Sequence, residues 1–171
     1  DISMPNTATS TTTEKHSSQR EGDLTLARFL VSKSLLSQEQ AKRILAKIKE
    51  DPQNAMPFEE LVVEEDMLSS EQVIEAKAAL LNLPYIDLSN YEVDPEVLDL
   101  IPANVAREFM LFPLFRIDGT LLMAMTDPKD VKAIDKVTRL TQLDISPALS
   151  TREAVEESID RYYGAVQKKN I

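Results

Sequence analysis

The sequence predicts an α+β chain in two parts: an N-terminal four-helix repeat unit made of two helical hairpins, then a small α+β unit with three to four short strands. Three observations carry that prediction. Residues 25–50 align with residues 57–82 without gaps, and both copies have helical spacing. The composition changes at Leu83, where short strand-like runs begin. Residues 111–140 then read as strand, tight turn, buried strand and capped helix.

In the repeat, Leu30 aligns with Val62, Leu35-Leu36-Ser37 with Met67-Leu68-Ser69, and Gln40 with Gln72. Each copy reads as helix, short turn, second helix. Ser37 and Ser69 are placed to cap the second helix, and a glutamine three residues on completes a capping box. Leu26, Phe29 and Leu30 form one apolar face; Ala41, Ile44, Leu45 and Ile48 form another. Neither hairpin buries both faces alone, so the two are expected to pack together. Asp51-Pro52-Gln53-Asn54 is the linker between them.

In the second part, Tyr85-Ile86-Asp87-Leu88 reads as a short strand. Asp94-Pro95 starts a helix with the face Val97, Leu98, Ile101, which Pro102 ends, and 103–110 adds a further turn or two. Asp118-Gly119 is the strongest hairpin signal, expected to have positive φ at both residues. Leu121-Leu122-Met123-Ala124-Met125 is apolar without alternation, as a strand covered on both faces requires. Asp127 is read as the N-cap of the next helix, with Pro128 at its first position and Asp130 adding negative charge at the positive end of the dipole. Val131, Ile134, Val137 and Leu140 form that helix's stripe. Residues 144–149 are a plausible strand. Ser150-Thr151-Arg152-Glu153 reads as a capping box, Val155, Ile159 and Tyr162 as the stripe of a closing helix, and Gly164 as its stop. The helices are expected on one side of the sheet.

At the ends, residues 1–22 are Ser/Thr-rich with almost no large apolar residues, and read as a disordered leader. The expected division is thus 1–22 leader, 23–82 helical repeat, 83–164 α+β unit, and 165–171 frayed tail or linker. The chain starts without Met, and Met4 is the nearest natural start.

Composition narrows the chemistry. At 43% hydrophobic residues the chain buries a core, made mainly of Leu, Ile, Val and Met because Trp is absent. Lys+Arg 19 against Asp+Glu 29 gives a net charge of -10, which argues against nonspecific binding to nucleic acid or anionic lipid. With no cysteine there is neither disulfide nor thiolate chemistry, which is compatible with a reducing cytoplasm. No apolar run approaches the length of a membrane span. The only three glycines, at 22, 119 and 164, do not make a phosphate loop of the form G-x-x-x-x-G-K-[ST]. His16, the sole histidine, has no partner residues for a metal or catalytic role. Asp127 and Asp130 form a conceivable carboxylate pair, but helix capping accounts for both. Glu59-Glu60 and Glu64-Glu65-Asp66 lack the glycine and oxygen-ligand spacing of a calcium loop. No catalytic residue, metal site or cofactor is expected.

The order of motifs resembles the N-terminal domain of the ATPases that drive type II secretion and type IV pilus assembly. That family has a proline-leucine strand, a hairpin, an A-x-x-DP-x-D segment and a helix with Ala-Ile-Asp. Here these are Pro113-Leu114, Asp118-Gly119, Ala124 with Asp127-Pro128 and Asp130, and Ala133-Ile134-Asp135. Leu83-Pro84-Tyr85-Ile86-Asp87-Leu88 matches the family's first strand, and Ile159-Asp160-Arg161-Tyr162-Tyr163-Gly164 its closing helix. The likeness covers roughly residues 23–164.

In many members each repeat resembles R-L-G-x-x-L-x-x-x-G-x-L-(S/T), and two tandem copies bind cyclic di-GMP. Here the pattern is eroded. The Arg positions are Thr25 and Pro57, the first Gly positions Ala27 and Glu59, and the second Gly positions Ser34 and Asp66. Leu26, Leu30, Leu36 and Leu68 remain, and core packing explains those equally well. Glu59 and Asp66 would meet a dianionic ligand with like charge. The resemblance therefore implies a non-catalytic docking or regulatory domain. Its partners would be its own ATPase core and the cytoplasmic part of an inner-membrane platform protein, placing it in the cytoplasm, peripheral to that membrane. The alternative is a cyclic di-GMP receptor domain governing the ATPase. Leu35 and Met67, apolar residues at the repeat turns, are the candidate partner contacts; they either face outward or tuck under the neighbouring hairpin, and the α+β unit is the other possible docking face.

Overall fold

The computed structural model describes residues 8–169, with side chains from 17 to 164. The chain divides between Ala76 and Lys77 into two compact units. The sequence had put the division between Asn82 and Leu83.

The first unit contains α1 (Ala8–Ser32), α2 (Gln38–Glu50), α3 (Phe58–Glu64) and the start of α4 (Ser70–Leu80). Helices α1, α2 and α3 meet pairwise. Their shared core includes Leu30, Ile44, Phe58 and Val62, all 0% exposed. The last turn of α4, from Lys77, belongs to the second unit, which explains the earlier division. Helix α1 begins at Ala8, within the stretch read as a disordered leader; residues 1–7 lie outside the described residues, as does the side chain of His16. Side chains 17–22 are all exposed, so burial does not hold this stretch. Its helix extends from the turn anchored by Leu26, Ala27 and Leu30, and propagation needs only one hydrogen bond per added residue.

The second unit continues with a 3-10 turn (Leu88–Asn90), α5 (Pro95–Leu98), α6 (Ala103–Phe109), β1 (Leu111–Ile117), β2 (Thr120–Met125), α7 (Val131–Thr141), β3 (Asp144–Leu149) and α8 (Arg152–Lys169). The sheet order is β1-β2-β3, with β1 and β2 antiparallel and β2 and β3 parallel. The expected strand at Tyr85 reduces to one parallel bridge to Leu149, flanked by bonds from Ile86 N to Leu149 O and from Leu149 N to Pro84 O. Asp87 ends it by accepting from Ser89 N and opening the 3-10 turn. Pro113 has no N–H to give the β1–β2 ladder, and the register shifts between Pro113 and Phe115.

Strand β2 is the centre of the core, with Met123, Ala124 and Met125 each at most 1% exposed. Neighbouring residues in a strand point to opposite faces. Both faces are therefore covered there, as the unalternating apolar run requires. One apolar cluster joins β1 and β2 to Val97 and Ile101, to Val105 and Ala106, to Ala133 and Val137, and to Val155, Ile159 and Tyr163. Phe112 sits against Tyr162 and Tyr163, with ring centroids 5.6 and 6.3 Å away.

Several local readings shift by a few residues for identifiable reasons. In the hairpin only Asp118 has positive φ, 52°, and Gly119 does not. Asp127 Oδ1 accepts from Lys129 N, so Asp127-Pro128 closes a turn before the helix; Asp130 is the N-cap of α7, accepting from Ala133 N at 3.2 Å. The buried face of α7 is Ala133 and Val137 with Ile134 beside them, while Val131 and Leu140 are 63% and 46% exposed. Thr151 rather than Ser150 caps α8, its Oγ1 accepting from Ala154 N. Ser150 is 1% exposed, and its Oγ makes no hydrogen bond among the described residues. Helix α8 runs through Gly164 to Lys169, so Gly164 is not its stop. Asp94 does cap α5 with Pro95 in the first position, as read from the sequence.

Candidate functional site

The two repeat turns are the place where the eroded ligand motif falls, and they are built alike. At the end of α1, Leu35 N bonds Leu30 O at 2.9 Å and Ser34 N bonds Val31 O at 3.0 Å. At the end of α3, Met67 N bonds Val62 O at 3.1 Å and Asp66 N bonds Val63 O at 3.0 Å. This pairing of bonds is the Schellman arrangement, which needs a left-handed residue just past the helix. Ser34 and Asp66 supply it with φ of 60° and 56°. These are the second Gly positions of the motif. Backbone conformation is thus a sufficient reason for glycine there.

The helix that follows each turn begins with the predicted capping box. Ser37 N donates to Gln40 Oε1 and Gln40 N to Ser37 Oγ, at 3.0 and 3.1 Å. In the second copy Ser69 N donates to Gln72 Oε1 and Gln72 N to Ser69 Oγ, at 2.9 and 3.2 Å.

Most remaining motif positions serve the fold. Leu26, Ala27, Leu30, Leu36 and Leu68 are all buried. Thr25 is exposed and its Oγ1 donates to Glu21 O within α1. Pro57 precedes α3 and offers no side-chain cap. Its job is done instead by Asp23, buried in α1, whose Oδ1 accepts from Phe58 N at 3.2 Å. Sequence reasoning missed Asp23, since the two residues lie 35 apart and no local pattern links them. Glu59 is half-buried and Asp66 exposed. The candidate contact residues differ: Leu35 is 37% exposed, whereas Met67 is half-buried. Lys47 of α2 pairs with Glu65 beside the second turn.

In the second unit Tyr163, Tyr91 and Asp87 hold backbone in place. Tyr163 donates to Leu98 O and Ile101 O, and burial first, then the Asp99 carboxylate, pushes its pKa well above the ordinary tyrosine value. Tyr91, raised by burial, donates to Leu114 O at 2.6 Å. The Ser89 hydroxyl and amide hold the pKa of Asp87 below its usual value in an exposed turn. Among the described residues no group of His, Cys, Asp and Glu is placed to hold a metal ion, and no helix is long and apolar enough to cross a membrane.

A helical repeat ahead of a mixed three-stranded α+β unit matches the N-terminal region of secretion and pilus ATPases. Residues 81–168 match the MshEN domain, and the chain belongs to that family. It is 27% identical over 138 residues to the type IV pilus assembly ATPase PilB of Myxococcus xanthus, covering 81% of this chain and 24% of that protein. It is 29% identical over 102 residues to type II secretion system protein E of Xanthomonas campestris, covering 57% of this chain and 18% of that protein. The chain therefore spans a quarter or less of these relatives. Among solved structures, MshE with cdg is similar at a TM-score of 0.69 and 27% identity, covering 81% of this chain and 98% of that one. The N-terminal domain of XpsE shares the fold at a TM-score of 0.60 and 22% identity, covering 81% and 94%.

Proposed function

We propose that this chain is a non-catalytic docking and regulatory domain of a type II secretion or type IV pilus assembly ATPase. It holds the ATPase to the cytoplasmic part of an inner-membrane platform protein, and so works in the cytoplasm at the membrane through that partner. One observation carries this reading: the positions where ligand chemistry would sit are occupied by core leucines, a helix-starting proline and left-handed helix ends, leaving surface rather than chemistry to act. The test is co-purification of the ATPase with the platform protein's cytoplasmic domain, with and without residues 23–164. Binding retained by the ATPase lacking this segment overturns the reading.

The second reading, a cyclic di-GMP receptor domain, is favoured by the likeness to the structure of MshE with cdg. Against it stand Thr25 and Pro57 at the Arg positions, each removing a charge-assisted contact of about 1.5–3 kcal/mol. Glu59 and Asp66 add like charge. Titration calorimetry is expected to give no low-micromolar constant for cyclic di-GMP. Finding one would promote this reading over docking.

A further inference from the structure

The outer face of α7 runs against the charge of the whole chain. Lys132, Lys136 and Arg139 line one concavity with Phe109 of α6, and Asp135 is the single carboxylate among its lining residues. All three residues are exposed, and none of their charged side chains makes an ion pair or hydrogen bond among the described residues. Asp130, the other acid nearby on the helix, is engaged as its N-cap. At about 100° per residue the three cations fall within about 60° of arc, spread over about 10 Å of helix axis. Val131 and Leu140, 63% and 46% exposed, lie on either side of that arc.

We infer that this face is a docking surface for an acidic, amphipathic segment of a partner protein, with carboxylates against the three cations and apolar residues against Phe109, Val131 and Leu140. Charge complementarity selects the occupant. The net charge of -10 repels an extended polyanion such as nucleic acid or an anionic bilayer. A short acidic segment engages only the local field, because screening limits its reach to about 8 Å at physiological salt. The apolar margins supply contacts that a small anion cannot use.

The probe is a labelled helical peptide with glutamates at i, i+4 and i+7 and a leucine at each end, titrated into the full chain by fluorescence anisotropy. Binding is expected at low salt and weakens as salt rises. Lys132→Glu with Lys136→Glu weakens it tenfold or more while the thermal midpoint holds, and Lys132→Ala with Lys136→Ala gives the same direction should the reversal impair folding. No binding at low salt, equal binding of a scrambled peptide, or wild-type affinity in both double variants overturns the inference. So does tighter binding of heparin or anionic vesicles through the same lysines.

Discussion

Ser34→Gly with Asp66→Gly separates what the repeat turns do for the backbone from what they do for a ligand. Ser34 and Asp66 hold φ of 60° and 56°. A left-handed backbone costs an ordinary L-residue about 1–2 kcal/mol, and Asp somewhat less. Glycine removes that strain but adds about 0.5–1 kcal/mol of unfolded-state freedom. The net gain at Ser34 is about 0.5–1 kcal/mol. At Asp66 the smaller steric gain is supplemented by removing a carboxylate just past the C-terminus of α3, where the helix dipole disfavours it by about 0.3–1 kcal/mol. Urea unfolding followed by far-UV circular dichroism should show the midpoint rising by about 0.2–1 M for each variant, given slopes of about 1–3 kcal/mol per M. Ser34→Val should lower it, since a β-branched residue tolerates positive φ poorly. Titration of the double variant with cyclic di-GMP should match wild type. An unchanged or lowered midpoint, or nucleotide binding gained by the two glycines alone, would refute the view that this position is conformational.

Tyr163 predicts an alkaline stability limit: above pH about 10 the unfolded chain loses a tyrosine proton that the folded chain keeps, so stability falls with pH by up to about 1.4 kcal/mol per unit. Below that pH its contribution is fully present, and Tyr163→Phe should flatten the fall in pH-scanned unfolding midpoints. Asp130→Ala should cost about 1 kcal/mol by removing the cap of α7, and Asp127→Ala less, in urea unfolding. Ser150→Ala should raise stability by about 1 kcal/mol, because it removes a buried hydroxyl without a partner.

Legibility in the sequence followed the range of the interaction. Ser37 with Gln40 and Ser69 with Gln72 bond within three residues, so their spacing encodes their geometry. The hairpin and the unalternating run of β2 were equally local. Asp127 and Asp130 were harder, because two aspartates three apart both satisfy the rule for a helix start and only the three-dimensional turn chooses. The bond from Phe58 N to Asp23 was not legible, since it depends on how α1 meets α3. In the candidate site, the leucines at 26, 30, 36 and 68 fit a core and a purine pocket alike in sequence, and all four are buried in the structure. The left-handed Ser34 and Asp66 were visible only as places where the family keeps glycine.

The way α8 closes the second unit has a consequence in time. Tyr162 donates to Tyr91 O, Tyr163 to Leu98 O and Ile101 O, and Asp160 pairs with Arg107, ties that span 53 to 71 residues. Such distant pairings form late, after the β1–β2 hairpin has closed across its two-residue turn. During synthesis the first unit is complete once Ala76 has emerged, whereas Phe112 waits about fifty further residues for its aromatic neighbours. The nascent second unit thus leaves Phe112 without its aromatic neighbours until most of α8 is made, and a chain cut short before Tyr162 would lack them.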